Sequence, residues 1–361
     1  MRFAAQAPKA LKQNLLFETC PRPVLTRVIL RYFNWKDRAR FQHVCKQGQI
    51  ALTLEAFQQP ITLSLSTGFP LYDDVLWPWL LNRGLPQGIR VKKILYDEVA
   101  VDLAGPDRLV GKIDVTELTN IIWRGPFPLR LQRACNGSTR LTHLDLMSAK
   151  NINVGHFVST LPALTELTAG KNLSKPQSTS LRRLTWDISE VETLNPRNIQ
   201  LPNLTSLIAQ MGISSYSPST HCLNVLLQPS TLPRLQELRV TQYFQWSVPL
   251  ATAVHRLVKV GIDIDCTHEN HNWWQWQSSH VYNFFSDVST SNIQHLILNL
   301  VGWAGFYFLD QLVHNVLGKF PLLEKVDFWL DSCEIKPEDL LILLRHHAQR
   351  LSRAIQFETF C

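Results

Sequence analysis

The sequence predicts an α/β protein, built as an N-terminal helical unit followed by a horseshoe of about ten strand-helix repeats. Three observations predict it. Between residues 18 and 57 apolar side chains fall at helical spacing. Beyond them a short apolar phrase recurs down the rest of the chain, which is the mark of a repeat array. Four copies of that phrase carry the same proline, which a set of unrelated strands would not share. With 45% hydrophobic and 18% charged residues over 361 positions, the chain can bury a large core. The expected division is a flexible N-terminal tail at 1–17, a helical domain at 18–57 and an irregular repeat solenoid at 58–361.

The tail, "MRFAAQAPKALKQNLLF", is basic and has neither a continuous apolar core nor a small-residue cleavage site, so it does not read as a secretion signal. After it, Val24, Leu25, Val28, Ile29 and Tyr32 recur in steps of three and four and form one stripe on a helix, with Pro23 in its first turn. The chain breaks at "NWK". Asp37 can cap a second helix whose buried face is Phe41, Val44 and Cys45. Ile50, Leu52, Leu54 and Phe57 extend the bundle. A unit of about 40 residues buries too little surface to stand alone without disulfides, a metal or a partner.

The stretch "CPRPVLTRVILRYFNWKDRARFQHVCKQ" resembles an F-box, whose pattern opens with LP and closes with a DL/DR…RL..VCK..W element. Pro21, Leu25, Val28, Tyr32, Phe33, Asp37, Arg40, Phe41, Val44, Cys45 and Lys46 match it. Cys20, Pro23 and Gly48 stand where the family has Leu, Glu and the closing Trp. The resemblance implies docking onto a Skp-type adaptor, and through it onto a cullin-RING ubiquitin ligase. Pro21, Leu25, Val28, Ile29, Tyr32, Phe33, Phe41, Val44 and Cys45 would form the adaptor-binding surface.

The recurring phrase is "LPALTEL" at 161, "LPNLTSL" at 201, "LPRLQEL" at 232 and "FPLLEKV" at 320, with looser copies between and before them. Aligned on L-x-x-L-x-L, the copies start at Val91, Leu118, Leu141, Leu164, Leu181, Leu204, Leu235, Leu257, Ile293 and Leu323. Most of their intervals lie near the 20 to 29 residues of leucine-rich repeats, and the phrase resembles the strand half of that motif. At period two its leucines enter one core while the residues between them face outward. That alternation puts His143, Asp145, Glu166, Thr168, Arg183, Thr185, Ser206, Glu237, Arg239, Lys259, His295 and Asp327 on one outward face, the expected substrate-binding surface. Helical spacing follows in "VGHFVSTLP" and "FLDQLVHNVLGKFP". An F-box followed by leucine-rich repeats resembles the substrate-receptor class of ubiquitin ligases. The alternative is a non-catalytic leucine-rich-repeat scaffold whose helical N-terminus is only a cap.

Other classes fit less well. The formal charge is +7, but Lys and Arg are spread along the chain without an aromatic platform between them, so no nucleic-acid partner is expected. The apolar run at 298–309 falls short of the roughly 20 residues of a membrane span. Seven cysteines without paired spacing point to a reducing compartment, cytoplasm or nucleus. No GxGxxG, P-loop, GxSxG or HExxH pattern occurs, so no catalytic site and no cofactor are expected. Cys266, His268, His271 and His280 lack the pairing of a zinc site, and no metal is expected either. The same segment carries Trp273, Trp274 and Trp276. Two roles are open to them: gripping a substrate, or packing as core beneath an oversized loop.

Overall fold

The computed structural model describes residues 61–65, 89–97, 110–111, 113–189, 191, 194–211, 219–241, 256–266, 292–302, 320–331, 336–350 and 354–360. The tail at 1–17 and the predicted helical domain at 18–57 lie outside the described residues. The chain divides into two units, Met1–Leu141 and Thr142–Cys361. The division falls inside the expected 58–361 array.

In the first unit, β1 (Ile61–Leu65), β2 (Ile89–Asp97) and β4 (Asn120–Pro126) pair in parallel in that order, and the two-residue β3 (Ile113–Asp114) pairs with β2. Helix α1 (Leu129–Cys135) follows β4. Tyr96 and Trp123, both buried, stack at 4.1 Å between ring centroids. Trp123 Nε1 donates to the Pro126 carbonyl at 2.9 Å, so the buried indole keeps its hydrogen bond.

In the second unit the strands are β5 (His143–Leu146), β6 (Ala149–Lys150), β7 (Glu166–Ala169), β8 (Arg183–Asp187), β9 (Ser206–Gln210), β10 (Glu237–Thr241), β11 (Lys259–Cys266), β12 (His295–Gly302), β13 (Lys325–Asp331) and β14 (Gln356–Phe360). Apart from β6, they form one parallel sheet in which every neighbour in space is the next strand in sequence. Every crossover therefore steps in the same direction. Three helices lie among the described connections: α2 (Val154–Ser159), α3 (Ser219–Leu227) and α4 (Pro337–Arg350).

The apolar phrase accounts for this core. All thirty side chains at its three apolar positions in the ten predicted copies are at most 4% exposed. The repeated proline has a local cause as well. In L-P-x-L the amide of the last residue donates to the carbonyl of the first, as at Leu164 to Leu161 (3.3 Å) and Leu204 to Leu201 (3.2 Å). This closes a β-turn whose second position proline pre-sets. Where the proline is missing, a serine hydroxyl does similar work: Ser138 Oγ accepts from the amide of Leu141 and Ser178 Oγ from that of Leu181.

After each turn one carbonyl serves two amides of the next copy. The Arg182 carbonyl accepts from Thr205 N at 2.9 Å and Ser206 N at 3.0 Å, and the same pairing recurs at Thr205, Gln236, Val258 and Gln294. Thr119, Thr165 and Thr205 add a hydroxyl donor to the same carbonyls, those of Lys92, Thr142 and Arg182. Backbone groups at the strand entries are thereby satisfied by the neighbouring copy.

Two expectations need correction. The connections are not uniformly helical: 170–182 holds no helix, and the link after β8 shows only a 3-10 turn at Pro196–Asn198 among its described residues. A crossing this short has no length for a helix between two turns. It is also tight, since a Cβ on Gly170 would lie 2.2 Å from the Met147 carbonyl oxygen. In addition, β1 and β14 stand outside the ten predicted copies. In "VGHFVSTLP" the helix is present, capped by Asn153 Oδ1 accepting from the His156 amide at 3.0 Å, but His156 itself is exposed. The helix predicted in "FLDQLVHNVLGKFP" lies outside the described residues except for its last two.

Arg256 ties the end of α3 to the turn that follows it. Its guanidinium donates to the Leu227 carbonyl at 2.8 Å and the Leu232 carbonyl at 2.5 Å. Desolvation lowers its pKa from the usual arginine value, and it remains a cation facing the negative end of the helix. Arg256→Met is expected to lower unfolding free energy by about 1–3 kcal/mol, because it orphans carbonyls away from water. A urea melt of the two proteins measures it.

Two buried thiols among the described residues are inert by the same desolvation. Burial pushes Cys135 up to about 12 and also raises Cys222, whose Sγ donates to the Val191 carbonyl at 3.0 Å. A thiolate is the reactive form. Brief maleimide treatment of the folded protein at pH 8 is therefore expected to leave both unmodified, and denaturation to expose both, as peptide mass spectrometry would read.

Candidate protein-binding face

The outward residues of the second unit form rows because the strands are in register. The first row runs His143, Glu166, Arg183, Ser206, Glu237, Lys259, His295, Lys325 and Gln356. The next runs Asp145, Thr168, Thr185, Ile208, Arg239, Gly261, Ile297, Asp327 and Glu358. Every residue expected on this surface from alternation thus occupies one of two adjacent rows of one sheet face. Trp273, Trp274 and Trp276 lie outside the described residues, as do His268, His271, His280 and all the expected adaptor-binding positions.

Charges on this face pair across neighbouring strands. Glu166 lies 3.2 Å from His143 Nε2 and 3.1 Å from Arg183 Nη1, an exposed trio of little energetic weight. Arg239 reaches Asp263 at 3.0 Å, and its stem lies over Gly261, where a Cβ would sit 3.0 Å from Arg239 Cγ. The missing side chain lets the arginine lie flat across β11 and reach the next row.

At the far end, His295 Nε2 lies 2.7 Å from Asp327 Oδ2. Lys325 Nζ stands 3.2 Å from Asp327 Oδ1 and 2.8 Å from Glu358 Oε2. Glu358 first, and Asp327 after it, raise the Lys325 ammonium above the ordinary lysine value. It therefore stays charged at neutral pH. Asp327 is itself buried, with His295 at one oxygen and Lys325 at the other.

A third row follows on the same face: Asp187, Gln210, Thr241, then Asp263, Asn299, Trp329 and Phe360. Trp329 stacks on Phe360 with ring centroids 4.5 Å apart and planes 18° from parallel, yet it remains 44% exposed. Sequence reasoning missed Asp263, Lys325, Trp329, Glu358 and Phe360. The same alternation places Lys325 and Trp329 beside Asp327, and the long strand β11 carries it on to Asp263. For Glu358 and Phe360 the signal was weak, since "AIQFETF" has no leucine at the phrase positions.

Chemically, this is a broad polar shelf of paired charges ending in an exposed tryptophan stacked on a half-buried phenylalanine. Such a composition fits contact with another macromolecule. Among the described residues no group of three or more His, Cys, Asp and Glu is placed to hold a metal ion, and no helix is long and apolar enough to cross a membrane. No family model matches the chain, and no curated protein matches it.

Proposed function

We propose that this chain is the substrate-recognition subunit of a Skp-cullin-F-box ubiquitin ligase. It docks on a Skp-type adaptor through residues 18–57 and receives a protein substrate on the outward face of its parallel strands. It acts as a receptor and leaves the chemistry to the ligase. The single observation that carries the reading is the pairing of two features in one chain. An F-box-like helical pattern at 18–57 stands ahead of a leucine-rich phrase whose copies stack in register and turn a polar, charge-paired face outward. An in-register face of this kind supports a protein partner, since a phosphate polymer would meet more carboxylates than permanent cations.

Purification of the full chain from cells, followed by probing for the adaptor and the cullin, tests the proposal. Recovery of both supports it. A folded chain that brings down neither is the result that rejects it, and leaves the scaffold with a helical cap.

A further inference from the structure

The whole chain is +7, yet residues 142–361 hold 18 Asp and Glu against 16 Lys and Arg. The outward face concentrates that excess: in its three described rows Asp145, Glu166, Asp187, Glu237, Asp263, Asp327 and Glu358 stand against Arg183, Arg239, Lys259 and Lys325 as permanent cations. A basic protein with an acidic working face is arranged to attract cationic partners and repel anionic ones.

Within that face one place offers more than field. Trp329 and Phe360 are register partners, and one pleat earlier so are Asp327 and Glu358. Among the described residues Lys325 is the one permanent cation within ion-pair distance of those two carboxylates, with His295 on Asp327 and Gln356 Nε2 on Glu358 at 2.8 Å. The exposed indole lies beside a carboxylate that is itself partly open to solvent. An arginine or lysine laid over a tryptophan face gains from the ring quadrupole and from the nearby negative charge together.

We propose that the β13–β14 end of this face is the anchor for a basic segment of the bound protein, its Arg or Lys cation over the Trp329–Phe360 pair and facing Glu358. This rests on the reading that the face receives a protein, and it names the chemistry of what is received. Two probes test it on the full chain, a fluorescent octa-arginine peptide and an octa-glutamate peptide, read by anisotropy. The decisive variant is Trp329→Leu, which removes the π face and leaves the charge unchanged. Loss of octa-arginine affinity by about three- to tenfold is expected. Glu358→Gln, at a half-exposed carboxylate, should weaken it as well, and octa-glutamate should not bind. Unchanged octa-arginine binding in both variants, or preference for octa-glutamate, overturns the proposal. So does self-association of the wild type that Trp329→Leu abolishes, because the shelf would then belong to a second copy. Adaptor recovery with Trp329→Leu is expected to match wild type. A wild type that captures no adaptor but binds octa-arginine through Trp329 would reject the receptor role and leave the anchor standing.

Discussion

A chain carrying Leu25→Asp and Val28→Asp is expected to lose its Skp-type adaptor, with recovery falling by at least about 100-fold. Both residues belong to the apolar stripe of the first predicted helix, with Val24, Ile29 and Tyr32. A carboxylate placed at the centre of an apolar interface loses its water and finds no cation, at a cost of several kcal/mol for each charge. Every 1.4 kcal/mol is tenfold in affinity. The repeats lie elsewhere in the chain and should keep their melting transition, which circular dichroism of the variant would check. Undiminished adaptor recovery would end the F-box reading.

Trp186→Ala is expected to cost about 3–5 kcal/mol, the range for truncating a buried aromatic. Trp186 is fully buried on the core side of β8, and its register partners on either side are Ala169 and Ala209. Two small side chains flank the large one, so neither neighbour can swell to fill the hole. A loss of this size is a large part of the roughly 5–15 kcal/mol that stabilises a domain. Trp186→Phe should cost much less, for two reasons. It keeps most of the ring, and it deletes an indole Nε1 that has no hydrogen-bond partner among the described atoms. Urea melts of the three proteins give the order wild type, Phe, Ala. A Trp186→Ala protein as stable as wild type would mean that the stacked core tolerates an empty position.

The strand positions were legible because burial and alternation are local consequences of composition. Leu144 and Leu146 can only enter the core together, and His143 and Asp145 must then turn away. The proline in L-P-x-L was legible for a similar reason, since it acts through one turn of four residues. The helices between strands were less so. Where 170–182 runs without one, what decides is the distance between two turns and the nearness of the Met147 carbonyl to Gly170.

By itself the sequence determined which side chains are core, which face outward and in what order the strands come, because these follow from hydrophobic period and turn chemistry within a few residues. It also carried the F-box resemblance, a pattern of adjacent positions. Only the tertiary structure decided which outward residues meet. Arg239 reaches Asp263 because Gly261 leaves the space, Lys325 serves two carboxylates on two strands, and Trp329 finds Phe360 from a strand the phrase did not announce. Except for Lys325 and Asp327, which are neighbours on β13, these contacts join residues some 24 to 33 positions apart, and their partners are set by parallel register, which no local pattern records.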